Sequence, residues 1–316
     1  MVVAVTRAGK NPLELTTPVM AAAGTFGYGE VYRDAMKVDK LGAIVTHPIT
    51  YEGWSPARGT RVVPLETGVL MHTGLPNPGL TKTVRKHQNL WVMLPVPIVV
   101  HLVATTEDHV RKGAARLDDE DGVNAIELGL NDDITWQDAD RLVRAATSRT
   151  EKPVLVRLPL LDAYEIADAV TDAGADALVI SAPPRGTARD PKSGALITGR
   201  VYGPMIKPIA LHAVERIAQR IDEIPIIGAG GIHTPQDARD FIEVGATAVQ
   251  VDSVTWINPG MLERIARDLG GNIVTRESGA LSDEWHPGMG DTEREQRQRA
   301  KKNDDDSNQN SAQNPN

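Results

Sequence analysis

The sequence has no cysteine in 316 residues. That excludes disulfides, thiolate-ligated zinc, an iron–sulfur cluster held by this chain and a cysteine nucleophile. Aromatic residues are scarce at 4%, with only two Phe. The core is therefore aliphatic, and base-stacking platforms for nucleic acid are not expected. Positive charge is in deficit: 34 Lys and Arg face 42 Asp and Glu, a formal net charge of −8. This argues against a polyanionic partner. Long apolar runs are missing too. The longest, from Leu94 to Ala104, is interrupted by Pro95, Pro97 and His101 and falls short of the roughly 18 residues that a membrane span requires. The apolar run at the N-terminus is too short for a signal peptide. These absences lead to the expectation of a cytoplasmic protein with neither membrane nor nucleic acid as partner.

Hydrophobic residues make up 41% of the chain, enough for a sizeable core. Eight apolar runs rich in β-branched residues recur: 19–24, 43–49, 98–104, 125–130, 153–160, 175–182, 224–230 and 246–253. They are nearly continuous, as strands covered on both faces require. Helical patterns separate most of them. The segment 162–175 places Ile166, Ala169, Val170 and Ala173 on one stripe and closes at Gly174. In 233–246, Thr234 is the expected N-cap, Pro235 opens the helix and Gly245 ends it. Segments 106–117 and 135–150 start in the same manner. Eight strands, each followed by a helix, predict a (β/α)8 TIM barrel. An open doubly wound sheet is the competing fold, and no glycine-rich nucleotide fingerprint after the first strand supports it. Two connections are long, Pro48 to Asn77 and Pro183 to Gly203. Both leave C-terminal strand ends, where barrel active sites are built. Residues 1–281 read as one barrel domain. Residues 282–316 read as a disordered polar tail almost free of aliphatics.

The sharpest local signal is IIGAGGIHTPQDA (226–238). Glycines at a strand end let backbone N–H groups approach an anion, and a helix N-terminus follows, which is where barrels hold phosphate. A tight turn needing positive φ is the plainer reading. Ser253, after the eighth strand, is a possible donor to that phosphate. Asp252 beside it is not: either its carboxylate points away or it weakens the site.

Several segments together resemble the class 1 dihydroorotate dehydrogenases, and more narrowly the FMN-containing catalytic subunit of the NAD-linked type. They are NPLELTTPVMAAAGTFGYGEVY, GVLMHTGLPNPGL, YGPMIKPIAL and IPIIGAGGIHTPQDARDFIEVGATAVQV. The similarity runs from about Asn11 to Pro259. It implies FMN as cofactor, proton removal from dihydroorotate with hydride transfer to the flavin, a homodimer, and an FAD/iron–sulfur subunit as electron-transfer partner. The cofactor positions it implies are Ala23, Arg157, Gly203, Gly230, Gly231, Asp252 and Ser253. Arg157 stands where the family has a lysine near the flavin, and Ala23 where it often has a serine. The position of the catalytic base falls on Asp132, and His47 replaces a lysine that touches flavin and substrate. The substrate positions fall on Met71, His72, Thr73, Gly74, Leu75, Ala182 and Pro183. Met71, Gly129 and Ala182 occupy places where the family carries asparagines.

Amides would pair the ring edges of a pyrimidine carboxylate, and a missing hydrogen bond in a dry site costs about 1–3 kcal/mol. The sequence therefore predicts a family member with poor turnover of dihydroorotate. Asp132 with His47 could form a replacement acid–base pair; the plainer reading of 132–135 is helix capping by Asp133 or Thr135. Two other functions compete: a diverged barrel serving as a binding or partner subunit, and a non-redox barrel for a phosphate ligand. His101 is expected to be a core or rim histidine, Arg58 and Arg61 to be solvated loop residues, and no histidine pair has the spacing of metal ligands, so no metal is expected.

Overall fold

A computed structural model describes residues 2–8 and 11–278; the predicted tail, 282–316, lies outside them. Strands β1 (Val3–Ala4) and β2 (Glu14–Leu15) form an antiparallel hairpin. Strands β3 (Val19–Ala21) and β4 (Ala43–Val45) begin the barrel. Next come β5 (Val62–Leu65), β6 (Gly68–Met71), helix α1 (Leu80–Met93), β7 (Ile98–Val103) and α2 (Glu107–Asp118). They are followed by β8 (Ala125–Gly129), α3 (Trp136–Thr147), β9 (Val154–Pro159), α4 (Ala163–Asp172) and β10 (Ala177–Ala182). The chain continues through β11 (Arg185–Arg189), β12 (Leu196–Tyr202), α5 (Lys207–Ala218) and β13 (Ile226–Ala229). It ends with α6 (Pro235–Glu243), β14 (Ala248–Val251), α7 (Val254–Ile257) and α8 (Gly260–Ser278).

The closed barrel runs β3-β4-β7-β8-β9-β10-β13-β14 and back to β3, all parallel. Each of the eight apolar runs supplies one of these strands, so the TIM-barrel expectation holds and the open sheet is excluded. One connection departs from the expected strand–helix alternation. Between β3 and β4 lie turns and a single 3-10 turn at Val38–Lys40. Gly24, Gly27 and Gly29 there adopt φ of +89°, +57° and +100°, conformations that interrupt a right-handed helix.

Strand periodicity divides the core in two. One set of side chains faces the helices, among them Ile126, Val156, Leu178 and Val249. The alternate set fills the barrel from below: Met20, Val45, Val99, Leu155, Val179 and Ile227, with Val5 and Leu15 of the hairpin region closing the bottom. Helix ends follow local chemistry. The Thr234 side chain accepts the Asp237 N–H, and Asp237 reciprocates in a full capping box with Pro235 in the first turn. Thr135, not Asp133, caps α3 and accepts the Asp138 N–H. Asp133 instead adopts φ +57°. On α4 the expected Ile166 and Val170 are buried, as is Ala173 just past its end, with Ala163, Ala167 and Thr171 beside them; of the expected stripe, Ala169 alone is only half-buried.

The two long connections come together. Strands β5 and β6 from one and β11 and β12 from the other form a single antiparallel sheet in the order β11-β12-β6-β5. Arg200, Val201 and Tyr202 pair with Met71, Leu70 and Val69. No helix among the described residues is long and apolar enough to cross a membrane.

Candidate functional site

Moving up the inward face by the two-residue strand period, the aliphatic filling gives way to four polar side chains in one layer. His101 on β7, Glu127 on β8, Arg157 on β9 and Gln250 on β14 are all buried. Glu127 Oε1 lies 2.7 Å from His101 Nδ1 and 3.4 Å from Arg157 Nη1. Arg157 also donates to Gln250 Oε1 at 2.6 Å and to the Ser181 carbonyl at 2.9 Å. Gln250 Nε2 closes the ring by donating to Glu127 Oε2. Burial alone would raise the Glu127 pKa, but the Arg157 charge, His101 and Gln250 outweigh it and bring it down to about 2. The carboxylate is thus ionised and fully partnered, which a buried charge requires.

Above this layer opens a cleft at the C-terminal ends of the strands, about 640 Å³ including the space open to solvent. Arg157 and His101 form its floor; Ala23, Leu75, Ala182 and Pro183 are on its walls. His101 turns its Nε2 edge toward Gly129. A Cβ on Gly129 would sit 2.4 Å from Nε2, so the ring fills the space that a side chain at this position would need.

Asp132 spans the mouth. Its Oδ1 accepts from Arg200 Nη1 at 2.6 Å, and its Oδ2 is 3.1 Å from Arg185 Nε. Arg200 also donates to the Pro183 carbonyl at 2.8 Å. Tyr202, beside Arg200 on β12, lines the same wall. Burial and the Asp252 charge push its phenol up to about 12. Asp252 is buried above Gln250 on β14. Its Oδ1 accepts both the backbone N–H of Ser253 and the Ser253 hydroxyl, the latter at 3.1 Å. His233 Nε2 lies 3.0 Å from that hydroxyl.

The other sequence-designated residues scatter. His47 is not in the cleft wall; its ring stands edge-on to Tyr28 at 5.9 Å. Burial and the neighbouring His101 lower its pKa; among the described residues Asp132 pairs with Arg200 and Arg185 and not with His47. Met71 lies on β6, and His72 and Gly74 are exposed. Thr73 accepts the Leu75 N–H through its hydroxyl. Arg58 and Arg61 are exposed, away from the cleft. The glycines have packing reasons of their own. A Cβ on Gly203 would come within 2.5 Å of the Thr67 carbonyl, and one on Gly231 within 2.5 Å of the Lys207 N. Gly230, at φ +114°, backs onto Ile206 and Ala210. Sequence reading had singled out neither Glu127 nor Gln250. The available signal was a lone polar residue inside each of the apolar runs AIELGL and ATAVQV.

A parallel eight-stranded barrel with a cation-floored cleft at its C-terminal mouth defines the class. The sequence pattern described as dihydroorotate dehydrogenase matches residues 9–273, and the chain belongs to that family. The catalytic subunit of dihydroorotate dehydrogenase B (NAD(+)) from Citrifermentans bemidjiense is 32% identical over 85% of this chain and 93% of its own length. The same-named subunits of Pelobacter propionicus and Geobacter sulfurreducens are each 34% identical over 81% of this chain, covering 90% and 89% of those proteins.

Members of this family are FMN flavoproteins, in agreement with the cofactor expected from the sequence. The cleft fits the flavin's ring end. It has a buried guanidinium at its floor, and a Cβ on Gly24, just past Ala23, would meet nothing within 4 Å. Past β14, the Ser253 donors already serve Asp252, itself a residue of the cleft lining.

Proposed function

We propose that the chain is an FMN-dependent oxidoreductase of the dihydroorotate dehydrogenase family whose own substrate is not dihydroorotate, with residues 1–281 as its flavin-binding domain. The observation that carries this reading is that both oxygens of Asp132, to which the resemblance assigns the base position, are engaged by Arg200 and Arg185. A carboxylate held between two guanidinium groups is fixed in orientation by them rather than turned toward a substrate proton. Around it, Gly129, Ala182 and Pro183 offer a pyrimidine ring no side-chain hydrogen bonds. FMN, when bound, supplies the acceptor for a hydride.

The chain's own residues divide the remaining work. Arg157, fixed by Glu127, Gln250 and the Ser181 carbonyl, holds positive charge at the cleft floor, which would favour the negative charge a bound flavin gains on reduction. His101, oriented through Nδ1 by Glu127, leaves Nε2 as the atom able to hold or pass a proton at the cleft floor. Arg200 and Asp132 pair beside the cleft mouth. The relatives are named as catalytic subunits. On that footing the chain works in the cytoplasm as a homodimer beside an FAD/iron–sulfur electron-transfer subunit, which must bring all the thiolate ligands itself.

The test is steady-state oxidation of dihydroorotate by the FMN-loaded protein, side by side with the Geobacter sulfurreducens subunit. Three absent hydrogen bonds at about 1–3 kcal/mol each give a rate at least about 100-fold lower. Equal rates overturn the reading. The Arg200–Asp132–Arg185 cluster also favours a second reading, a barrel kept as a partner subunit. A protein that takes up no flavin would decide for it. The phosphate-ligand alternative has the Asp252 carboxylate against it.

A further inference from the structure

The end of the cleft between β13 and α7 has the parts of an anion seat. Gly230 and Gly231 turn at the end of β13 with φ of +114° and +73°. Ser253 presents a hydroxyl and a backbone N–H, and His233 approaches from the opposite side, 3.0 Å from that hydroxyl. An anion is already there, and it belongs to the protein. The Asp252 carboxylate takes both Ser253 donors and is buried. The surrounding cations are committed elsewhere: Lys207 Nζ is bound to Asp237 at 2.6 Å and Asp240 at 2.5 Å, Arg157 to Glu127 and Gln250, and Arg200 to Asp132. His233 provides no charge in compensation, since burial lowers its pKa, with Asp252 and Asp237 opposing that only in part. A phosphate arriving here meets a fixed like charge in a low-dielectric pocket, where repulsion is strong, and finds the Ser253 donors taken.

We propose that Asp252 is an internal substitute for the flavin's phosphate, so that this chain holds FMN by its ring and gains little affinity from the phosphate group. This rests on the flavin reading above. Asp252 is then a specificity-determining residue: it makes the site nearly indifferent to whether the ribityl chain ends in phosphate or hydroxyl. Asp252 also borders the cleft floored by Arg157 and His101, and its carboxylate is turned to the Ser253 donors.

The experiment titrates the full chain, freed of flavin, with FMN and with riboflavin, following quenching of flavin fluorescence. In the unaltered protein the two dissociation constants are expected to agree within about threefold. Asp252→Gly and Asp252→Asn are expected to tighten FMN at least tenfold and leave riboflavin within about twofold. The proposal is overturned if the unaltered protein prefers FMN tenfold or more, a result that stands even if neither variant folds. It is also overturned if the variants fold and the FMN-to-riboflavin ratio does not move. Both of those outcomes leave the flavin reading intact. If the protein binds neither compound, the proposal and the flavin reading fail together.

Discussion

The lower and upper halves of the barrel interior are made by the same eight strands, yet they are built on different principles. Below, Met20, Val45, Val99, Leu155, Val179 and Ile227 fill space with hydrocarbon. Each contributes through volume and area, and a neighbour of similar size would serve. Above, His101, Glu127, Arg157 and Gln250 are bonded to one another. There, the worth of each side chain depends on the others being present. Two residues along a strand, from Leu155 to Arg157 or from Ala248 to Gln250, separate the two regimes. The fold tolerates this because the polar layer is complete: Glu127 has a partner for both oxygens, and Arg157 is met on both terminal nitrogens.

The strongest attempt to break the contrast is Glu127→Ala. It leaves Arg157 buried without its carboxylate, and we expect a loss of about 3–5 kcal/mol in chemical denaturation. A loss below 1 kcal/mol would mean the layer is not a coupled unit. The same group predicts a pH dependence. Its folded pKa, about 2, lies below the ordinary value of 4.5, so its stabilisation is whole above pH 4.5 and is lost as pH falls toward 2. The contribution is on the order of 3 kcal/mol, and denaturation curves at stepped pH should lose that acid limb in Glu127→Gln. A smaller effect sharpens the picture at the cleft floor. Gly129→Ala would put a methyl 2.4 Å from His101 Nε2. The ring must move, at about 1–3 kcal/mol, and the His101 imidazole resonances should shift with it. In the lower half, Ile227→Val should cost only about 1 kcal/mol and leave flavin binding unaltered. A change in flavin affinity there would show that the halves are not independent.

How much of this was legible beforehand follows the same division. All eight barrel strands could be read from their apolar runs, because two-sided burial imposes a continuous β-branched pattern. The cap of α6 was equally plain: Thr234, Pro235 and Asp237 act within one turn, so their chemistry is local. The first connection was misjudged, since three glycines in the left-handed region override the strand–helix alternation. The site was least legible. Asp132 was picked out by the family resemblance alone, and its partners Arg185 and Arg200 arrive from β11 and β12, more than fifty residues downstream. His47 and Asp132 fall apart for the same reason. Nothing in either local segment reports where the other one goes. Asp252 is the exception. Its conflict with a phosphate was visible in five letters, VQVDS, and the structure resolves it by giving the carboxylate the donors themselves.

The sheet formed by β5, β6, β11 and β12 joins the two insertions edge to edge. Residues that wall the cleft, Leu75, Arg200 and Tyr202, are attached to it or follow directly from it. The two loops therefore cannot gape separately, as fingers would. Ladder hydrogen bonds yoke them into one plate, tied across the mouth by the Arg200–Asp132 pair. A change of residue in the first insertion is then felt across the mouth in the second.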